Sequence, residues 1–117
     1  MKNVCLLFLV CLFNLGCQDF NKFHHVLLYK WSANATNEQK EMFLETFELL
    51  PYKIEGMKNV EIATIESSMR DYDLMVHVTF SSRTILEAYQ NHPDHQRIVQ
   101  MADDIILSYS YFQYSTN

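Results

Sequence analysis

Three side chains that can transfer protons lie close together in residues 88–95, which read Ala-Tyr-Gln-Asn-His-Pro-Asp-His. Apolar residues at helical spacing predict that a helix carries Tyr89 on its inner face and ends just before His92. Because proline fits the first turn of a helix, we expect Pro93 to begin a second helix that has His92 at the junction and His95 in its first turn. The apolar residues after His95 also recur at helical steps, which places His95 on the buried side with Tyr89.

An inward-facing pair of Tyr89 and His95 has two interpretations, and the sequence leaves both open. The first is a structural helix junction in which two buried polar groups satisfy each other by hydrogen bonding. The second is a pocket in which His95 acts as a general base near neutral pH and Tyr89 acts as a hydrogen-bond donor or an acid.

Length and composition limit the kinds of protein that these residues can belong to. A chain of 117 residues with 49% hydrophobic and 20% charged residues is typical of one globular domain with a single core. The formal net charge is −5 and no cluster of Lys and Arg is present, so nucleic acid is not an expected partner. Two glycines are too few for a glycine-rich phosphate-binding loop, and no nucleophile motif surrounds the serines.

The first 17 residues predict a secretory signal peptide. Lys2 precedes an apolar run that is too short for an ordinary membrane-spanning helix, and Leu15-Gly16-Cys17 resembles the lipobox of bacterial lipoproteins, although Asn14 departs from that pattern. We therefore expect lipidation at Cys17 and an exported protein that is anchored in the bacterial periplasm or outer membrane. Residues 18–22 would form a tether. The alternative is that Cys17 is an unmodified buried thiol.

The rest of the chain predicts alternating strands and helices in an α+β fold. Predicted strands cover residues 23–31, 57–66, 72–80 and 107–114, and a helix begins at a capping box at Thr36 and stops at Pro51. With the broken helix around residues 88–95, this order is the β-α-β-β-α-β arrangement of a ferredoxin-like fold with an antiparallel sheet. Helices cover one sheet face, so the face that bears Met75 and His77 needs burial in a homodimer.

Three segments, residues 23–31, 72–80 and 88–95, resemble the signature blocks of the stress-responsive A/B barrel (Dabb) domain family, in a domain that spans residues 23–115. The resemblance implies that a ferredoxin-like protomer pairs sheet to sheet into a dimeric α/β barrel. It also implies a pocket for a small apolar or carbonyl ligand between the sheet and the helices of each protomer. By motif position, His25, Tyr89 and His95 match residues that line this pocket in some members. We expect the pocket of this chain to be lined by His25, Leu27, Leu74, Tyr89, His92 and His95.

The family resemblance is compatible with both a binding protein and an enzyme. Most members have no assigned reaction, but some are polyketide cyclases that need no cofactor, and in such an enzyme, or a lyase-like one, His95, Tyr89 and His25 would be catalytic. Leu74 stands where a cyclase-like member can present a further histidine, so a binding or structural module is our first interpretation and an enzyme is the alternative. We expect no cofactor. We also expect no metal, because His24 and His25 alternate to opposite faces of a strand.

Overall fold

The structure is a computed structural model that describes residues 21–117. The predicted signal peptide, Cys17 and most of the tether lie outside these residues. The elements in chain order are β1 (Lys22–Trp31), α1 (Asn37–Lys53), β2 (Met57–Thr64), β3 (Leu74–Phe80), α2 (Arg83–Gln90), α3 (Pro93–Ile105) and β4 (Ile106–Thr116). The four strands form one antiparallel sheet in the order β2-β3-β1-β4. This order confirms the predicted ferredoxin-like α+β fold.

Helix α1 begins at the predicted capping box. The backbone N–H of Gln39 donates to Thr36 Oγ1 at 3.1 Å, and the backbone N–H of Thr36 donates to Gln39 Oε1 at 2.9 Å. Phe43, Phe47 and Leu50 are completely buried against the sheet. The local cap and the apolar spacing therefore specify the same helix and the same inner face.

The predicted end of α1 at Pro51 was wrong, because the helix continues to Lys53. Proline lacks an N–H group, which removes one hydrogen bond from the helix. The turn after it is still bonded, since the backbone N–H of Ile54 donates to the carbonyl oxygen of Leu50 at 3.0 Å. A proline this close to a helix end therefore leaves the last turn in place.

Strict alternation along the strands separates the sheet into two faces. On the face toward the helices, His25 lies between Val78 of β3 and Gln113 of β4, and Tyr29 lies between Leu74 and Tyr109. The opposite face, which we call the open sheet face, has no helix of the described residues packed on it. The open sheet face carries His24, Val26, Leu28, Met75, His77, Thr79, Phe112 and Tyr114.

The outer strand β4 receives little cover from the helices. Tyr109 and Tyr111 point to the helix side of the sheet but are 63% and 57% exposed. Helices α2 and α3 bury Tyr89, Ile98 and Ile105 against the centre of the fold and leave a gap beside β4. No helix within residues 21–117 has the length and hydropathy needed to cross a membrane.

Candidate functional site

A cavity of about 380 Å³ lies between strands β1 and β4 and helices α2 and α3. Four of the residues predicted to form a pocket line it, namely His25, Leu27, Tyr89 and His95. Its other lining residues are Tyr29, Gln90, Ile98, Val99, Ala102, Asp103, Tyr109, Tyr111 and Gln113. The walls are thus mostly apolar or aromatic, with a few polar groups between them.

The junction between α2 and α3 places His95 against Tyr89, as predicted. The two ring centroids are 4.6 Å apart and the planes meet at 68°. His95 Nδ1 lies 3.1 Å from the carbonyl oxygen of Gln90. Because a carbonyl only accepts hydrogen bonds, Nδ1 must carry the proton, which leaves a free lone pair on Nε2. Burial lowers the pKa of His95, and the bond to Gln90 opposes that shift.

His25 has the opposite tautomer. The amide Nε2 of Gln113 donates to His25 Nδ1 at 3.0 Å, so the ring proton belongs on His25 Nε2. Burial lowers the pKa of His25, and the charge of His95 lowers it further, so both rings are neutral near pH 7. The cavity therefore has one histidine that presents an N–H donor and another that presents an acceptor nitrogen.

Tyr89 supplies a second kind of donor. Its side chain is only 2% exposed, and burial raises the pKa of its phenol well above the ordinary value. A phenol with a raised pKa stays protonated across the neutral range and acts as a hydrogen-bond donor. Together with His95, it gives the cavity a neutral acid and a neutral base in contact.

Two residues of the predicted pocket lie elsewhere. Leu74 is buried in the sheet between its partners Tyr29 and Thr64, and it does not line the cavity. His92 caps α3 instead, because its Nδ1 accepts from the backbone N–H of Asp94 at 3.1 Å. Neither residue lines the cavity, because Leu74 lies at the far end of the sheet from Gln113 and the side chain of His92 is turned back onto its own helix.

Gln113 and Tyr29 also line the cavity, although the sequence did not predict them as site residues. Gln113 lies directly opposite His25 in the pairing of β1 with β4, and Tyr29 lies two positions beyond Leu27 on the cavity side of β1. Alternation along β1 could have indicated Tyr29. Gln113 required the register of two strands that are distant in sequence, which no local pattern reports.

Metal-binding groups are not gathered at this site. Among residues 21–117, no three His, Cys, Asp or Glu side chains are placed to hold a metal ion together. His24 and His25 lie on opposite faces of β1, as their alternation predicted.

The sequence profile of the stress-responsive A/B barrel domain (Dabb) matches residues 23–115. The chain belongs to this family. No match was found among proteins of curated function. The Dabb match covers every helix and nearly every strand residue that the structure describes, including all four predicted residues that line the cavity.

Solved structures share the fold of this Dabb domain. A dimeric ferredoxin-like protein of unknown function from Thermobifida fusca is 23% identical, with a TM-score of 0.70 over 82% of this chain and 92% of the other. A hydroxynitrile lyase from Passiflora edulis is 12% identical, with a TM-score of 0.74 over 82% and 94%. A Dabb family protein from Mesorhizobium loti is 18% identical, with a TM-score of 0.64 over 80% and 95%. At these identities, the similarity concerns the fold.

Proposed function

We propose that this Dabb domain protein binds a small apolar molecule that carries a carbonyl or hydroxyl group in the cavity between its sheet and helices. The observation that carries the proposal is that hydrogen-bonding groups of both kinds lie among apolar and aromatic walls, beside the carboxyl group of Asp103. His95 Nε2 accepts, whereas Tyr89 and His25 Nε2 donate. A volume of about 380 Å³ lies within the range of ordinary small-molecule sites.

Mass spectrometry of the ligand that copurifies with the protein tests this proposal, followed by titration of that compound into variants. His95→Gln should weaken binding about fivefold, which corresponds to ~1 kcal/mol for one net hydrogen bond. Tyr52→Phe, on the exposed side of α1, is the control that should bind like the wild type. Equal affinity of His95→Gln and the wild type for the compound would contradict the assignment of His95 as an acceptor.

A second candidate function is acid–base catalysis on an apolar carbonyl compound without a cofactor. The contact between the Tyr89 phenol and the neutral His95 ring supports it, as does the fold shared with the hydroxynitrile lyase. Exchange of α-hydrogens for deuterium in a bound ketone measures the base directly, and His95→Gln should slow a catalysed exchange ~10²- to 10⁴-fold. An exchange rate equal to that without protein would exclude this function.

The functional unit that we propose is a homodimer. Relatives with the same fold from Bacteroides fragilis and Thermobifida fusca are described as dimeric. The open sheet face of this chain carries apolar side chains of three neighbouring strands, which a partner sheet would shield from water. Those side chains are Leu28, Met75 and Phe112, which are half-buried or exposed in the single chain.

We also propose that the domain is exported and anchored to a bacterial membrane by lipid on Cys17. The supporting pattern is Lys2, the apolar run after it and Leu15-Gly16-Cys17. Intact-mass analysis of the membrane fraction should show a chain that begins at a modified Cys17. A Cys17→Ala variant should leave that fraction or fail to mature, and an unmodified wild-type chain that begins at Met1 would contradict the anchor.

A further inference from the structure

Tyr29 is a buried phenol in the wall of the cavity that neither catalysis nor capping requires. Its ring is only 5% exposed and is held edge-on against Phe43, with centroids 5.4 Å apart and planes at 83°. The ring of Phe47, which also lies on α1, contacts the Tyr29 ring from the same side, with centroids 6.4 Å apart. Two aromatic neighbours and a strand backbone therefore leave the ring little freedom to turn its hydroxyl away from the cavity.

The hydroxyl of Tyr29 has no hydrogen-bond partner among residues 21–117, and neither does that of Tyr89. Among the same residues, every completely buried side-chain oxygen has a hydrogen-bond partner. Each hydroxyl must therefore face open space, and the cavity is the space that both side chains line. A hydroxyl that faces the cavity can bond to water there, so a ligand that offers an oxygen acceptor at the same place can replace that water and keep the hydrogen bond.

We propose that Tyr29 is a second ligand-binding donor, which together with Tyr89 selects molecules that place an oxygen acceptor, a carbonyl or an oxyanion, on an aromatic or apolar frame. The inference rests on the proposed binding function and deepens it, because it names the chemical group that the cavity recognises. Tyr29 contributes no acid or base to the first proposal, and its role is to hold and orient the ligand oxygen.

The electrostatics of the two phenols agree with this placement. Burial raises the pKa of Tyr29, and the neighbouring phenols of Tyr89 and then Tyr109 raise it further. Because the pKa values of Tyr29 and Tyr89 are both raised, the two groups remain protonated donors at neutral and mildly alkaline pH.

Pentafluorophenol and pentafluoroanisole form a matched pair of probes for this inference. At mildly alkaline pH the first is an oxyanion, whereas the second has the same ring with its oxygen blocked by a methyl group. Fluorine nuclear magnetic resonance titrations of the full chain should show tighter binding of the phenolate by the wild type. Tyr29→Phe should weaken the phenolate by about tenfold or more, as expected for a hydrogen bond to a charged group, and the anisole by less than about twofold.

Tyr52→Phe is the matched control, because it removes the same hydroxyl from a tyrosine on α1 that is 87% exposed and does not line the cavity. It should weaken the phenolate by less than about twofold. The thermal unfolding midpoint of Tyr29→Phe should equal that of the wild type, since no intramolecular hydrogen bond is lost.

The possible outcomes separate the two proposals. If the wild type binds both probes and Tyr29→Phe binds the phenolate equally well, the role of Tyr29 is overturned while the cavity remains a binding site. If the wild type binds neither probe, the proposed function and the role of Tyr29 are both overturned. A lower unfolding midpoint with unchanged phenolate affinity would show that the hydroxyl is structural, which also overturns the inference.

Discussion

The two cavity histidines differ in which ring nitrogen holds the proton, and the difference comes from one hydrogen bond each. A backbone carbonyl accepts from His95 Nδ1, and a side-chain amide donates to His25 Nδ1. Each ring consequently turns a different group toward its surroundings, an acceptor on His95 and a donor on His25. A ligand with one acceptor and one donor is complementary to this pair.

The binding of such a ligand should depend on pH through these histidines. Burial is the largest cause of the lowered pKa at both His25 and His95, so the neutral forms persist below the ordinary value of 6.5. Affinity should thus be constant from mildly alkaline pH down to 6.5 and should fall only at lower pH, where His95 Nε2 gains a proton and loses its lone pair. Calorimetric titration across this range measures it. An affinity that rises as the pH falls below 6.5 would contradict the neutral assignment.

Contacts in the site can be predicted from the sequence only when the two residues are close to each other along the chain. Tyr89 and His95 are six residues apart on two helices that meet at one proline, so helical spacing alone predicted their contact. The bond between Gln113 and His25 joins strands at opposite ends of the chain, and it depends on a register that only the folded sheet defines.

The element that holds His95 in place is α3, and a buried carboxylate joins its first turn to the end of α1. Asp94 is 7% exposed and accepts from Lys53 Nζ at 2.8 Å and from Arg97 Nη1 at 3.4 Å. The hydrogen bond from Lys53 is the largest cause of the lowered pKa of Asp94. Because His95 is the next residue, the position of its ring follows from this attachment.

Asp94→Asn should therefore lower the free energy of unfolding by about 1 to 3 kcal/mol at neutral pH, as expected for the loss of a charged hydrogen-bonded group in a buried position. The folded-state pKa of Asp94 is depressed, so its stabilisation is present above the unfolded value of 3.8 and is lost as the pH falls through the lower folded value. Urea denaturation at several pH values measures both effects. Asp104→Asn, on the exposed side of α3, should change little, and equal losses in the two variants would refute the attachment.

Helix ends show the same division between local and non-local information. The start of α1 follows from Thr36 and Gln39, which are neighbours in the sequence, and it was predicted correctly. The end of α1 depends on whether the contacts of the last turn offset the loss of the backbone hydrogen bond that Pro51 cannot donate. That compensation comes from tertiary contacts, so the proline signal alone placed the boundary too early.

At the scale of the whole molecule, the open sheet face has its polar groups paired within one protomer. His24 Nδ1 lies 2.9 Å from His77 Nε2, and His24 Nε2 lies 2.9 Å from Thr116 Oγ1. The ring of Tyr114 stacks on His24 with centroids 4.3 Å apart. Since these groups already have partners, they would keep their hydrogen bonds when a second sheet covers the face.

Met75→Asp tests whether a second copy covers this face. Met75 lies between Leu28 and Ala63, near the middle of the open sheet face, and a carboxylate there would be buried without a partner in the dimer. The variant should be monomeric or aggregated by light scattering at concentrations where the wild type is dimeric. Met42→Asp, on the exposed surface of α1, should remain dimeric. A stable wild-type monomer at micromolar concentration would refute the dimer.

Titration of pentafluorophenol into protein whose cavity has been filled measures directly whether the cavity is the ligand site. Ala102→Phe adds a ring to the cavity wall, whereas Ala88→Phe adds the same ring to the exposed side of α2. If the cavity binds the ligand, Ala102→Phe should lose binding and Ala88→Phe should bind like the wild type, with both variants folded by circular dichroism. Undiminished binding by a folded Ala102→Phe would contradict binding in the cavity.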